Sequence, residues 1–345
     1  MHKVKRKSLF LLFVLTVLLL SACNKGEENV PIDQEIEREE DEVAEETSLP
    51  YTYPLTGIET EEQLDRRVVG VTINNHPAAR PQSGIADADI VYEVLAEGEM
   101  TRFVALFHST LPERVGPVRS ARPYLIDLVK GYNGLFVTHG WSPEAEKMLK
   151  NGYADYLNGL FHDGTLFKRS SDRKAPHNSY ITFDNIVAGL ESKGYELNGP
   201  VPSLAFYKED EEREIGDDGR SIEINYLNRN YVQYEYDETS GYYERYNGDQ
   251  KTVDYETNEP VYISNVFIIE AEHRIVDDVG RREIDLDSGG NALLFQNGSV
   301  QSLEWENRDG IIVPVQNGEV VLLKPGKTWI NIVPSSPGIE SSVTY

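Results

Sequence analysis

Short apolar runs separated by turn residues follow one another after residue 50, a pattern that predicts strands with a few helices between them. In the first half, the strand-like runs are 67–73, 90–96, 101–108 and 135–139. Helical spacing occurs at 123–130, at 143–150 behind the N-cap residue Ser142, and at 183–193 before Gly194. This alternation predicts an α/β (or α+β) domain over residues 51–198.

The second half consists of short strand-like runs, most of them separated by turn residues. These runs are 221–227, 231–236, 242–246, 261–270, 282–286, 292–296, 299–304, 311–314, 319–323 and 328–333. The pattern QNGxV occurs twice, at 296–300 and 316–320, and Asn-Gly favours a type I′ hairpin. We therefore predict a mostly antiparallel β domain over residues 199–345, which begins at the Gly/Pro-rich stretch 197–202.

The first 22 residues have the features of a secretory signal peptide. Basic residues precede an apolar run at 9–20, which is too short to span a bilayer as a mature helix. The run ends in LSAC at 20–23, which resembles the lipobox of bacterial lipoproteins and implies that Cys23 is acylated, for example with palmitate. Cys23 is the only cysteine, so we expect no internal disulfide. We expect a lipid anchor at the outer face of the bacterial cytoplasmic membrane.

Charge divides the chain into unequal parts. Residues 23–50, which begin at the lipidated cysteine, hold eleven acidic and two basic residues, and this composition predicts a disordered, acidic tether. The whole chain has a net charge of −25, yet residues 102–174 hold eleven Lys+Arg against seven Asp+Glu. A basic segment in an acidic, outward-facing protein favours a small anionic ligand and argues against nucleic acid as a partner.

Four motifs point to a known family: INNHPAARPQSG at 73–84, GPVRSARP at 116–123, SSDRKAPHN at 170–178 and PGKTWI at 325–330. Together they resemble the YerB-like lipoproteins of Gram-positive, spore-forming bacteria. That family has an N-terminal region of unknown function followed by a distinct C-terminal region. The resemblance implies a membrane-anchored envelope protein, and it implies no reaction, cofactor or catalytic residue.

The motif GPVRSARP places two arginines in a predicted strand-to-helix loop. If the runs 101–108 and 135–139 are parallel neighbours, Arg119 and Arg122 share one rim with His139 and Trp141. The planar fork of arginine suits phosphate and carboxylate groups. Nearby strands and polar loops supply further ligand-binding candidates, namely Asn74, His76, Arg80, Glu93, Glu97, Arg102, Arg173 and His177. We expect an Arg/His-rich cleft for an anionic envelope ligand of the peptidoglycan, teichoic phosphate or polyprenyl phosphate type.

In one alternative, the arginines pair with carboxylates of the protein and bind no ligand. Glu93 and Glu97 lie four residues apart on a predicted strand, so both carboxylates share a face and could pair with Arg119 and Arg122. A scaffold for cell-wall synthesis proteins, with no small ligand, would then be the function.

Another alternative is a peptidoglycan hydrolase or lyase. Glu93 or Glu97 would act with His76, His139 or His177 in acid–base chemistry. The same side chains are zinc-ligand types, but no HxH, HxxxH or HExxH spacing occurs among them. We therefore expect no metal and no other cofactor.

Overall fold

The computed structural model describes residues 49–208, 216–227 and 231–345. The predicted signal peptide, Cys23 and the predicted tether up to residue 48 lie outside the described residues. Residues Ser48–Tyr345 form one compact unit. Within the described ranges, no helix is both long and apolar enough to cross a membrane.

The first region alternates strands with short helices. Its strands are β1 (Tyr51–Thr52), β2 (Glu59–Thr60), β3 (Val69–Asn74), β4 (Ile90–Leu95), β5 (Thr101–Phe107), β6 (Arg114–Val115), β7 (Leu135–Thr138), β8 (Tyr156–Asn158), β9 (Phe167–Arg169) and β10 (Ser179–Thr182). Its helices are α1 (Pro123–Lys130), α2 (Pro143–Lys150), α3 (Gly159–His162) and α4 (Phe183–Ser192). The predicted N-cap of α2 is confirmed, because Ser142 Oγ accepts a hydrogen bond from Ala145 N at 3.3 Å.

The second region is built almost entirely of strands. They are β11 (Asp217–Asp218), β12 (Ser221–Asn225), β13 (Tyr231–Asp237), β14 (Tyr242–Asn247), β15 (Gln250–Lys251), β16 (Tyr262–Ile263), β17 (Asn265–Ala271), β18 (His273–Ile275), β19 (Arg282–Ile284), β20 (Gly290–Gln296), β21 (Ser299–Arg308), β22 (Ile311–Gln316), β23 (Glu319–Val320), β24 (Thr328–Pro334) and β25 (Val343–Thr344), with α5 (Ile339–Ser342) before the last strand. Both predicted hairpins are confirmed. Asn297 and Gly298 have φ of 50° and 73°, and Asn317 and Gly318 have 54° and 83°, as a type I′ turn requires.

A twelve-stranded mixed sheet runs through both regions. Its order is β23-β22-β21-β20-β17-β24-β4-β5-β3-β7-β8, with β11 added on β21. Strand β24 lies between β17 and β4 and is parallel to both. The strands of the two regions therefore share one hydrogen-bonded ladder, and the division at residues 198 and 199 stays a prediction.

Each face of this sheet is covered by a different layer. The six-stranded sheet β15-β14-β13-β12-β25, with β16 on β14, covers one face over a core that includes Phe103, Tyr234 and Trp329. Helices α1 and α2 cover the other face. Gly70 in β3 allows the close approach of α1, because a Cβ there would lie 2.3 Å from Val129 Cγ2.

The runs 101–108 and 135–139 are not parallel neighbours, so the condition for the shared rim is not met. Strand β5 pairs antiparallel with β3, and β3 pairs parallel with β7, so β3 separates the two. All three strands are buried, and their mostly apolar sequences carry no marker of which strand lies beside which. At the coarser level the predicted fold class is confirmed: a mixed sheet with helices precedes mostly antiparallel strands.

Candidate functional site

Residues 116–122, which we name the arginine segment, lie between the ends of β3 and β7. Arg119 N donates a hydrogen bond to Thr72 O at 2.9 Å, and Arg119 O accepts one from His139 N at 3.0 Å. The segment therefore extends the sheet where β3 and β7 end. Arg119 and His139 become neighbours through these backbone bonds, although 101–108 and 135–139 do not pair.

Arg122 belongs to a buried group organised by one carboxylate, which we name the Glu97 cluster. Arg102 Nη2 lies 2.9 Å from Glu97 Oε2, and Arg122 Nη2 pairs with Glu97 Oε1. Arg102 Nη1 also donates to Ser120 O at 2.7 Å. Both arginines are buried, and burial lowers the pKa of Arg102 to about 10. Glu97 therefore holds Arg122 inside the protein, as the pairing alternative proposes.

Glu93 lies in the core between the two sheets, away from the arginine segment. Arg245 Nη2 lies 2.8 Å from Glu93 Oε2, and neither side chain is exposed. Thr101 Oγ1 and Trp329 Nε1 also donate to this carboxylate, at 2.8 and 3.2 Å. The alternative pairing is wrong for Glu93, which stays in the sheet, whereas Glu97 lies in the turn after β4.

Arg119 has different surroundings from Arg122. Over the described part of the chain, its guanidinium forms neither an ion pair nor a side-chain hydrogen bond. Its charge acts instead on Arg102, His139 and His177. Burial, and then the charge of Arg102, lowers the pKa of Arg119. Arg119 is therefore a half-buried cation without a counter-charge from the described residues.

His139 is fixed in one tautomer beside Arg119. Arg169 Nη2 lies 3.0 Å from His139 Nε2, and because a guanidinium only donates, this nitrogen must accept. His139 Nδ1 then carries the proton and donates to Ser179 Oγ at 2.7 Å. Arg169 also pairs with Asp163 at 2.8 Å. Burial, followed by the charge of Arg169, lowers the pKa of His139, so the ring is neutral at pH 7.

His76 and His177 lie stacked on the same side, with ring centroids 4.4 Å apart. Asn74 Oδ1 accepts from His76 N, which turns Asn74 Nδ2 toward His177 Nδ1 at 2.8 Å. Neutral His177 therefore carries its proton on Nε2. Burial, followed by the charges of His76, Arg119 and Arg173, lowers the pKa of His177. Together with the residues around Arg119 and His139, these two histidines form what we name the basic cluster, which consists of His76, Arg119, His139, Arg169, Arg173 and His177.

Arg80 and Arg173 fasten the loop that carries His76. Arg173 Nη1 donates to Ala79 O at 2.6 Å and to Tyr180 Oη at 2.8 Å. Arg80 Nε donates to Asn75 O at 3.1 Å. Their hydrogen bonds are therefore used within the protein, so these two predicted site residues position the loop beside His177.

The backbone of Trp141 forms a β-bridge with Ala121, and this is its contact with the arginine segment. Its ring contacts Tyr156 and Phe161, with ring centroids 6.0 and 5.5 Å away. The indole therefore belongs to an aromatic surface beside the basic cluster, a different position from the shared rim that the sequence predicts.

Several residues of the site carry no sequence signal of their role. Arg169 and Ser179 lie in β9 and β10 on either side of the motif at 170–178, and they reach His139 only because the chain folds back. Arg245, the partner of Glu93, lies far away in the second region. Within the described ranges, no three or more His, Cys, Asp or Glu residues are grouped to hold a metal ion.

The fold and the site together define a β-rich protein in which one mixed sheet supports a solvent-accessible basic cluster. The chain belongs to the DUF3048 family, whose members are proteins of unknown function. The N-terminal domain model of the family matches residues 55–196, and the C-terminal domain model matches residues 222–330. The predicted organisation into two family regions is therefore confirmed.

Relatives give the same assignment. A protein of Bacillus subtilis (strain 168) named "Putative lipoprotein YerB" is 49% identical over 285 residues, which span 81% of this chain and 86% of the relative. The crystal structure of YerB protein from Bacillus subtilis matches with a TM-score of 0.80 and 47% identity, covering 86% of this chain and 100% of that one. The resemblance to YerB-like lipoproteins is confirmed.

Proposed function

We propose that the protein is a membrane-anchored extracytoplasmic lipoprotein that binds an anionic cell-envelope ligand through the basic cluster. The observation that carries this proposal is Arg119, a half-buried cation with no acidic partner among the described residues. The sequence LSAC at 20–23 supports the anchor at Cys23, and so does the description of the relative as a lipoprotein.

A bound anion would supply the counter-charge that Arg119 lacks. Arg122 and Arg245, which are buried more deeply, each have a carboxylate partner in the protein. At Arg119 the partner would come from the ligand, which would accept charge-assisted hydrogen bonds from the guanidinium fork. The Nε2–H of His177 offers a further donor, because Asn74 occupies the other ring nitrogen.

The surroundings favour a ligand that presents one anionic group. The chain has a net charge of −25, which disfavours nucleic acid as a partner. Peptidoglycan carboxylates, teichoic phosphates and polyprenyl phosphate all present such a group outside the cytoplasmic membrane. No metal or cofactor is part of the proposal.

The test uses residues 24–345 without the acyl group, which include the whole compact unit Ser48–Tyr345. Calorimetric titrations with inorganic phosphate, acetate and a peptidoglycan stem peptide would identify the preferred anion. We expect Arg119→Gln to weaken binding roughly tenfold or more, since a charge-assisted bond is lost. The matched control is Arg114→Gln, because Arg114 is also half-buried but already pairs with Glu256.

Equal affinities of the parent and the Arg119→Gln protein would contradict the proposal. If the Arg119→Gln protein also restored growth of a deletion strain, the scaffold function would take its place. The hydrolase alternative names two possible acids. One of them, Glu93, is fully buried and paired with Arg245, so a substrate cannot reach it. The other, Glu97, is held by Arg102 and Arg122.

A further inference from the structure

Two large apolar side chains, Leu160 and Phe161, stand next to each other on α3 with 54% and 59% of their surface exposed. Gly159 is the reason for their position. A Cβ on Gly159 would lie 2.2 Å from His139 Nδ1, so only glycine lets α3 lie directly against the His139 ring. The two residues that follow then face solvent. Adjacent exposed apolar side chains of this size are typical of an interaction surface.

Aromatic rings and lysines continue this surface. The Trp141 ring lies 5.5 Å from the Phe161 ring and 6.0 Å from the Tyr156 ring. Lys150 Nζ lies 5.7 Å from the centroid of Trp141, and Lys193 Nζ lies 4.5 Å from that of Tyr156. We name this surface the aromatic–lysine patch, formed by Trp141, Lys150, Tyr156, Leu160, Phe161 and Lys193.

We propose that the aromatic–lysine patch docks the folded unit on a bilayer that contains anionic phospholipid. Leu160 and Phe161 would enter the boundary between headgroups and acyl chains, where apolar and aromatic side chains of peripheral proteins bind. Trp141 would lie at headgroup level, the usual depth of tryptophan in membrane proteins. Lys193 would contact the lipid phosphates, and so would Lys150, which forms an exposed ion pair with Glu146 at 2.6 Å.

The arrangement of the rings argues against a sugar-binding platform. A sugar stacks on the open face of an aromatic ring, whereas Lys150 lies over one face of Trp141 and Lys193 over one face of Tyr156. The most exposed apolar side chains of the patch are instead Leu160 and Phe161. Apolar tips with lysines beside them match a membrane surface better than a glycan.

A second group of exposed apolar residues serves as a contrast. Ile275 ends β18, and Val276 and Val279 follow it; 59%, 46% and 64% of their surface is exposed. Asp277 and Asp278 lie between them, and Arg274, Arg281 and Arg282 flank them, so this segment has no net negative charge. Arg281 pairs with Asp277 at 2.8 Å, and Arg274 pairs with Glu283. The aromatic–lysine patch differs from this segment by its aromatic rings, Trp141, Tyr156 and Phe161.

The proposed acyl anchor would make weak docking effective. The 26 residues from Cys23 to the first described residue could span at most roughly 90 Å when fully extended. Confinement to this distance raises the local concentration of the folded unit at the membrane. This step rests on the anchoring part of the proposed function, whereas docking by the patch itself does not.

Residues 24–345 without the acyl group would be mixed with vesicles of phosphatidylcholine alone, or of phosphatidylcholine with phosphatidylglycerol. Sedimentation measures binding, and tryptophan emission reports insertion. Of the three tryptophans, Trp305 and Trp329 are buried, so a blue shift on binding reports Trp141. We expect binding and a blue shift with phosphatidylglycerol. The double change Leu160→Ser with Phe161→Ser should weaken binding roughly tenfold or more.

The matched control is Ile275→Ser with Val279→Ser, which removes similarly exposed apolar surface that has no aromatic ring beside it and should leave vesicle binding unchanged. Failure of the parent protein to sediment with phosphatidylglycerol vesicles would overturn the inference, and so would equal binding by both double variants. Arg119→Gln should retain vesicle binding. Its loss would assign binding to the basic cluster and overturn docking by the patch.

Discussion

Arg245 in β14 forms a fully buried ion pair with Glu93 in β4, across 152 residues of sequence. The two oxygens of Glu93 also accept hydrogen bonds from Thr101 and Trp329, and the guanidinium lies 4.9 Å from the centroid of the Trp329 ring. Glu93 lies in the N-terminal family domain and Arg245 in the C-terminal one. This pair therefore joins the two domains of the family at the core between the sheets.

We expect Glu93→Gln to destabilise the protein by about 3–5 kcal/mol, because it leaves Arg245 charged and unpaired in the core. Chemical denaturation of residues 24–345 would measure the change. Arg220→Gln is the control, since Arg220 forms exposed pairs with Asp218 and Glu238, and it should change stability little. A cost for Glu93→Gln as small as that of the control would show that the pair does not stabilise the core.

The sequence predicts local structure well because the signals for it are local. Asn-Gly pairs fix the two hairpins, and Ser142 followed by Pro143 fixes the start of α2. The partner of Glu93 is not predictable in this way, because Arg245 comes from the other family domain and no local pattern marks it. The order of the strands is unpredictable for the same reason. Strand β3 lies between β5 and β7, and no local pattern in these strands indicates it.

Arg119 and Arg122 are expected to differ when each is changed to glutamine. Arg122→Gln removes a buried partner of Glu97, so we expect a loss of roughly 1–3 kcal/mol in the free energy of unfolding. Arg119→Gln removes a cation that has no partner among the described residues, so stability should change by less than about 0.5 kcal/mol while anion binding falls. Thermal denaturation and calorimetry of both proteins would measure the two effects. Equal destabilisation by both changes would indicate that Arg119 is also structural.

The separation of these two arginines shows where the site prediction succeeds and fails. The motif at 116–123 identifies a basic segment next to His139, and the backbone bonds of Arg119 place it there. The sequence cannot show that Arg122 turns toward Glu97, because an extended chain directs residues three apart to different sides. It also cannot identify Arg169, whose contact with His139 depends on the fold-back of β9.

Anion binding should strengthen as the pH falls from 7 toward 5. Burial and the charges of His76, Arg119 and Arg173 lower the pKa of His177, so the ring is neutral at pH 7. A bound anion at Nε2 favours the protonated ring, and Asn74 then has to turn its side-chain oxygen toward Nδ1. Binding therefore takes up a proton, and affinity rises by up to about tenfold per pH unit. Sulfate is a suitable probe because its own charge stays constant over this range. We expect calorimetry to show a flatter pH dependence for His177→Gln, and equal slopes would contradict this assignment.

His273 in β18 should make the fold sensitive to acid. Its Nδ1 donates to Ala271 O at 2.9 Å, its Nε2 is buried, and burial lowers its pKa to about 4. In the unfolded chain the histidine has an ordinary pKa of about 6.5, so the unfolded state binds the proton more readily than the folded state. The free energy of unfolding therefore falls as the pH drops from about 6.5 to about 4. The shift corresponds to at most about 3 kcal/mol, and the loss levels off below the folded pKa. Denaturation of the parent and of His273→Gln across this range should show a smaller acid-induced loss in the variant, whereas parallel curves would assign the acid sensitivity to other groups.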